Sequence, residues 1–136
     1  MQRNSYLENM VLSANPVRQV IMLYERAIVS LEDAIYAMES ELSEEVESLK
    51  KKYESMSKVS EILIVLDTTL NMEQGGDIAK NLHEIYQALL SDLNRIIVEG
   101  DEPQTLRKMV KILSDLKETW EEVEKRIYGK PEAITA

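Results

Sequence analysis

The chain contains no cysteine, and His83 is the one histidine among its 136 residues. The absence of cysteine excludes disulfides, thiolate metal sites and cysteine nucleophiles. A di-iron helical bundle needs two Glu-x-x-His motifs, so a single histidine excludes that class as well. A haem bound by His83 and a methionine is an alternative, but no convergent second ligand is identifiable. We therefore interpret His83, which is followed by Glu84, as a surface residue, and we predict neither a metal nor a cofactor.

Glycine and proline are scarce too, with four and three residues. A β-sandwich or barrel needs many more turns, so the composition favours helices. No segment approaches the ~18 consecutive apolar residues of a membrane span, and the first residues contain no apolar core of a signal peptide. We expect a cytoplasmic protein with no membrane insertion.

Clusters of positive charge are also missing, and the net charge is −9. The densest basic run, Lys50 to Lys52, is flanked by acidic residues and is predicted to form a solvated helix face. Nucleic acids and acidic lipids require a basic face for binding. The sequence therefore predicts no nucleic-acid partner.

Motifs of catalysis are absent as well. The sequence has no Gly-x-Ser-x-Gly, Walker or dinucleotide-binding motif, and Gly75-Gly76 follows no predicted strand. The pair is interpreted as a helix terminator. The 25 acidic residues are expected to face solvent, because a catalytic pair needs a pocket that separates two pKa values. We predict that the chain is not an enzyme.

Two amphipathic helices are predicted in the first half of the chain. Asn15 can cap the first helix and Pro16 suits its first position, after which apolar residues recur at three- and four-residue steps as far as Met38. An acidic turn follows, in which Ser43 is the expected cap of the second helix. This helix is predicted to run until Gly75-Gly76.

Two further helices are predicted in the second half. Asp77 is the expected cap of the third helix, which ends near Gly100, and Glu102-Pro103 begins a fourth that ends near Gly129. Four amphipathic helices joined by short connections predict an all-α, antiparallel up-down four-helix bundle. We expect residues 15–129 to form this bundle, residues 1–14 a short N-terminal helix or lid, and residues 130–136 a disordered tail.

The third helix has more apolar residues than one buried face requires. Its predicted core row includes Ile78, Leu82 and Leu89, and a second row turned by ~100° carries Ala79, Tyr86, Leu90 and Ile97. The second helix has Ile64 and Val65 on its polar side. Such surplus apolar surface predicts a groove for a partner's helix, although packing within the bundle is the alternative. The predicted partner-binding residues are Tyr6, Leu7, Met10, Ile64, Val65, Ala79, Leu82, Tyr86, Leu90 and Ile97.

Several motifs of the chain resemble those of one family when they are taken in order. These are Tyr6, Asn15-Pro16, Met22-Leu23-Tyr24, the stretch from Leu66 to Leu82, Tyr86 and Trp120. The set is similar to the FliS family of flagellar secretion chaperones. Asn15 stands where that family commonly has Ser or Thr, and Asn71 where it often has Asp.

The resemblance implies a helical chaperone in the cytoplasm. Members of this family bind the disordered C-terminal segment of flagellin, which folds into helices along the bundle's grooves. They thereby prevent premature polymerisation and deliver flagellin to the flagellar export gate. We expect these two partners for the present chain, which would be a monomer or a weak homodimer. The alternative is a helical structural protein that oligomerises without binding flagellin, and a cofactor-binding bundle is the remaining class.

Residues 1–14 contain Tyr6, Leu7 and Met10 but are too short to fold alone. We predict that they form a lid over the groove that the partner displaces. Two alternatives are a fixed fifth element of the core and a direct contact between Tyr6 and the partner.

Overall fold

A computed structural model describes residues 14–129 of the chain, and these residues form four helices. Helix α1 is Pro16–Glu39, α2 is Val46–Thr68, α3 is Met72–Glu99 and α4 is Pro103–Tyr128. The described part of the chain contains no strand, which confirms the all-α prediction. The predicted segments 1–14, except for Ala14, and 130–136 lie outside the described residues.

Ion pairs between helices connect the beginning of one helix to the end of another. Arg18 at the start of α1 binds Glu124 at the end of α4, and Arg107 at the start of α4 binds Glu39 at the end of α1. Between α2 and α3, Lys52 pairs with Asp101 just past the end of α3. These contacts agree with the predicted antiparallel up-down arrangement.

Helix α1 lies at the centre of the packing. It packs along both α2 and α4, while α3 packs mainly against α2 and approaches α4 closely at few positions. Small buried residues of α1, among them Ala27, Ala34 and Ala37, permit this close approach. The core that results consists mostly of leucine, isoleucine and methionine, with Tyr24 and Tyr86 as its largest side chains.

Asn15 begins α1 as predicted, because its Oδ1 accepts a hydrogen bond of 2.7 Å from the backbone N–H of Arg18. The predicted cap of the second helix was wrong. Glu45, not Ser43, occupies the N-cap position of α2, and its side chain makes no capping bond. Residues 40–45 instead form a tight connection closed by a hydrogen bond from Ser43 N to Ser40 O, of 3.0 Å.

The predicted boundary between the second and third helices was also wrong. Helix α2 ends at Thr68, where the hydroxyls of Thr68 and Thr69 bond back to the carbonyls of Val65 and Leu66, at 3.2 and 3.0 Å. Asn71 then caps α3, since its Oδ1 accepts from the N–H of Gln74 at 2.9 Å. Asp77 is therefore not the cap.

Gly75 and Gly76 lie inside α3 and not between helices. Gly76 has φ 54° and ψ −131°, a conformation that side chains disfavour, and it kinks the helix after its first turn. Gly75 is needed for a different reason, because a Cβ at this position would lie 2.6 Å from the Cβ of Ala79. The pair thus allows a first turn of α3 that changes direction immediately before the long part of the helix.

The basic run of α2 was predicted to form a solvated helix face, but it is only partly solvated. The side chain of Lys52 is 8% exposed, with its Nζ 3.0 Å from Asp101 and 4.8 Å from the centre of the Tyr53 ring. Lys51 is exposed and pairs with Asp33 at 3.6 Å. The prediction failed for Lys52 because its partner lies 49 residues further along the chain.

Candidate partner-binding cleft

All four helices contribute to one apolar cleft at the end of the bundle where α1 begins. The end of α2 and the start of α3 form most of its walls, and the cavity has a volume of about 220 Å³. Small-molecule sites usually occupy roughly 300–1,000 Å³, so this cleft suits a few side chains of a larger partner better than a whole ligand. Its lining residues are Val20, Leu66, Thr69, Leu70, Asn71, Gly75, Ile78, Ala79, Leu82, Tyr86 and Trp120.

The kink at Gly76 decides which side chains of α3 enter the cleft wall. Ile78, two residues after the kink, is 72% exposed at the rim, whereas Ala79 is 3% exposed. An isoleucine that lines a cleft and remains mostly in water is an apolar surface available to a partner. Because this exposed side chain lies beside a preformed cavity, we expect Ile78 to be the main contact residue of the candidate site.

Two aromatic residues of the lining, Tyr86 and Trp120, form a hydrogen-bonded trio with the fully buried Tyr24. The hydroxyls of Tyr24 and Tyr86 bond to each other, and Trp120 Nε1 donates to the Tyr24 hydroxyl at 3.2 Å. Burial raises the pKa of both tyrosines, so both hydroxyls stay protonated at neutral pH. The trio joins α1, α3 and α4 through side chains, which compensates for the few close approaches of α3 to α4.

Asp67, in the last turn of α2 next to the lining residue Leu66, connects α2 to α3. Its two carboxylate oxygens meet His83 Nδ1 at 2.6 Å and Gln87 Nε2 at 2.9 Å, both on α3. The side chain of His83 is partly exposed, as expected for a surface residue, and it is bound to Asp67. Across residues 14–129 no group of three or more His, Asp or Glu side chains could hold a metal ion.

Beside the cleft, a largely buried carboxylate fastens the start of α1 to the end of α4. The Glu124 side chain is 2% exposed and accepts from Arg18 Nε at 2.9 Å and from Asn15 Nδ2 at 3.2 Å. The bonds from Arg18, with that from Asn15, hold the pKa of Glu124 below its ordinary 4.5, although burial opposes them. Asn15 therefore caps α1 through its side-chain oxygen and donates a hydrogen bond to Glu124 of α4 through its side-chain nitrogen.

We expect the ion pair between Arg18 and Glu124 to stabilise the fold only above acidic pH. A folded-state pKa below the unfolded value means that the stabilisation is complete above about pH 4.5 and is lost as the pH falls through the folded-state value. At pH 7 the unfolding free energy of wild type should be greater than that of Glu124→Gln by on the order of 1–2 kcal/mol. This is the size expected for a carboxylate that is bound mainly by Arg18 and Asn15. Urea denaturation from pH 7 to pH 3 checks this, and a difference that grows towards pH 3 would contradict it.

The structure separates the predicted partner-binding residues into groups. Ala79, Leu82 and Tyr86 line the cleft but are at most 8% exposed. Leu90 and Ile97, further along α3, are half-buried against the core and do not line the cleft. The prediction that Ala79 and Tyr86 form an exposed second row was therefore wrong, and so was the assignment of Ile78 to the core row.

The remaining predicted residues lie elsewhere. Ile64 and Val65 are 50% and 44% exposed on the last two turns of α2, as predicted, outside the cleft lining. Tyr6, Leu7 and Met10 lie outside the described residues. The sequence did not indicate Val20, Leu66 and Leu70 as cleft residues, because Gly75-Gly76 was interpreted as a helix terminator and not as a kink within α3.

Comparison with known proteins agrees with the sequence motifs. The profile of a family described as "Flagellar protein FliS" matches residues 1–127, nearly the whole chain. The chain belongs to the FliS family. This membership confirms the prediction that the chain is not an enzyme. In the described part of the molecule, no helix is both long and apolar enough to cross a membrane.

A curated FliS protein offers a second comparison. The "Flagellar secretion chaperone FliS" of Vibrio cholerae serotype O1 is 35% identical over 66 residues, which cover 48% of each chain. The aligned part thus spans about half the length of that relative. Asn15 and Asn71, at which the sequence motifs led us to expect differences from the family, both cap helices through Oδ1.

Proposed function

We propose that this FliS protein is a cytoplasmic chaperone for flagellin, which holds flagellin's C-terminal segment before export and delivers it to the export gate. The observation that carries the proposal is the apolar cleft with Ile78 at its rim, in a protein of a flagellar family. A chaperone of this kind needs apolar surface for a partner's helix and needs no catalytic group.

The size of the cleft limits how it acts. A volume of about 220 Å³ accommodates one or two apolar side chains, so the cleft anchors a helix whose remaining contacts extend along the bundle surface. Ile64 and Val65 at the end of α2, and Leu90 and Ile97 along α3, are the proposed surfaces for these further contacts.

Binding of this kind orders a flexible segment, which makes release possible without nucleotide hydrolysis. Coupled folding typically buries on the order of 1,000–3,000 Å² and loses several kcal/mol to the ordering of the segment. The complex is therefore reversible even though its interface is large. Covering the apolar polymerisation segment of flagellin in the meantime prevents assembly inside the cell.

Circular dichroism during a titration tests the proposal. A flagellin C-terminal segment that is unfolded alone should gain helix when mixed with the chain, so the mixture is more helical than the sum of its parts. A flagellin lacking this segment serves as the control and should not bind. Absence of binding by the intact segment would contradict the proposal and would favour a structural role without flagellin.

We also propose that residues 1–14, with Tyr6, Leu7 and Met10, cover the cleft until flagellin displaces them. The support is positional, because α1 begins at the cleft end of the bundle and Val20 is part of the lining. A tethered segment acts at high effective concentration, so even weak contacts shield an apolar surface.

Deletion of residues 1–12 should tighten binding of the flagellin segment by severalfold, as measured by calorimetry, because competition is removed. Hydrogen exchange on the intact chain gives the matching observation, namely faster exchange of residues 1–14 when the segment binds. Weaker binding after the deletion would instead indicate direct contact through Tyr6, and unchanged exchange would indicate a fixed part of the core.

A further inference from the structure

The end of the bundle opposite the cleft has an exposed aromatic residue that the proposed function does not use. Tyr36, near the end of α1, is 78% exposed, and Leu42 in the α1–α2 connection is 61% exposed. A single exposed apolar residue is ordinary on protein surfaces. These two, however, line the same depression, together with Glu39, Ser40 and Glu41.

This depression continues into a larger groove between α1 and α4. Tyr36 lines both, and the groove has a volume of about 630 Å³. Ile35, 8% exposed, and the half-buried Val110 provide apolar surface in the groove. We call the two connected depressions the Tyr36 groove. Its residues are Glu32, Ile35, Tyr36, Glu39, Ser40, Glu41, Leu42, Arg107, Val110, Lys111, Ser114, Asp115 and Glu118.

The Tyr36 groove carries an excess of negative charge. Five of its residues are acidic and two are basic, and both basic residues already hold carboxylates. Arg107 binds Glu39, and Lys111 Nζ lies 2.9 Å from Asp115. The other three acids, Glu32, Glu41 and Glu118, make no ion pair within 4 Å among residues 14–129. The groove is therefore both apolar at its base and acidic at its margins.

This combination selects among possible occupants. A second copy of the chain would place acidic margins against a molecule whose net charge is also −9, and nucleic acid or an acidic lipid surface would be repelled for the same reason. A polypeptide with apolar and cationic faces complements both features. Lysine and arginine also bind over tyrosine rings, and tyrosine is enriched among residues that dominate binding.

We propose that the Tyr36 groove is a second docking surface, which binds a basic amphipathic helix of a partner protein. The apolar face of that helix packs on Ile35 and Val110, and its cationic side chains meet Glu32, Glu41 and Glu118 with one of them over the Tyr36 ring. Such a helix-in-groove interaction uses apolar anchors at helical spacing.

Along α1, the docking surface is well separated from the cleft. Val20 of the cleft and Tyr36 lie 16 positions apart on α1, which corresponds to about 24 Å along the helix axis. The cleft uses the start of α1 and Trp120 of α4, whereas the Tyr36 groove uses the second half of α1 and residues 107–118 of α4. The chain would therefore be able to link its bound cargo to a second protein.

The test uses an 18-residue synthetic helix of lysine and leucine with leucines on one face, and an analogue with glutamate in place of lysine. Titration into the ¹⁵N-labelled full chain should shift the amide signals of residues 32–42 and 107–118 for the lysine peptide alone. A saturating flagellin segment should leave this affinity unchanged. Shifts spread over all acidic surfaces, or equal binding of the glutamate analogue, would overturn the proposal.

Matched variants distinguish the groove from general attraction between opposite charges. Tyr36→Ala with Glu32→Gln should weaken binding of the lysine peptide by about tenfold. The control, Tyr53→Ala with Glu54→Gln, removes the same groups from the groove between α1 and α2, where Tyr53 is 46% exposed, and should change binding less than about twofold. Equal weakening in both variants would overturn the proposal.

Two further outcomes bear on the kind of occupant. Spermine alone should produce much smaller shifts, because it has no apolar face, and shifts equal to those of the peptide would overturn the assignment to a helix. Sedimentation of the chain alone should show no self-association through this face. Dimers that dissociate on Tyr36→Ala would overturn the assignment to a partner protein. Leu42→Ser, a change in an exposed connection, provides a second binding-deficient variant if the double variant misfolds.

Discussion

A Tyr86→Asp chain is expected to be largely unfolded at neutral pH and 25 °C. Tyr86 is 1% exposed and its hydroxyl bonds to Tyr24, so the substitution leaves a carboxylate in the core without its aromatic packing. Buried unpaired charge and lost core volume together cost upwards of ~4 kcal/mol. This is a large part of the roughly 5–15 kcal/mol that stabilises an ordinary domain. Thermal denaturation followed by circular dichroism measures the effect.

Tyr86→Phe is the matched control. It keeps the ring and removes one hydroxyl, while Tyr24 retains its bond from Trp120 at 3.2 Å. The expected loss is about 1 kcal/mol. If Tyr86→Asp instead melted within a few degrees of wild type, the side chain would have to reach solvent, and Tyr86 would be a direct contact residue as its sequence position first suggested.

Ile78→Asp should have the opposite profile, with the fold intact and binding of the flagellin segment weakened by about a hundredfold. Ile78 is 72% exposed, so a charge there remains hydrated in the free protein and is desolvated only beneath a bound helix. A residue central to an interface contributes 2 kcal/mol or more, roughly the effect expected here. Calorimetric titration gives the affinity, and urea denaturation should find stability within about 0.5 kcal/mol of wild type.

Val98→Asp controls for the added charge on the same helix. Val98 is 83% exposed but lies at the opposite end of α3 and is not part of the cleft lining. Its substitution should leave binding within about twofold of wild type. Similar losses in both variants would mean that charge alone weakens binding and that the cleft has no special role.

The sequence predicted most helix boundaries because local chemistry determines them. Asn15-Pro16, Gly100 and Pro103 act within one turn of their own positions, and the structure places helix ends at each. The end of α2 was missed because the apolar pattern continues to Leu70, whereas Asn71 already caps α3.

The face of α3 that enters the core could not be predicted in the same way. Ile78 and Ala79 both fit helical spacing with Leu82 and Leu89, so periodicity allows either row. The kink at Gly76 and the contact of Gly75 with Ala79 favour the smaller residue inside. Tyr86 enters the core because Tyr24, 62 residues away, provides a hydroxyl partner, and no local pattern indicates such a pairing.

Photo-cross-linking from position 78 shows whether flagellin's C-terminal segment binds at the cleft. The chain with benzoylphenylalanine in place of Ile78 is irradiated with monomeric flagellin, and mass spectrometry identifies the linked peptide. We expect an adduct within flagellin's C-terminal segment, formed from position 78 and not from position 98. Adducts at other parts of flagellin, or equal yields from both positions, would contradict it.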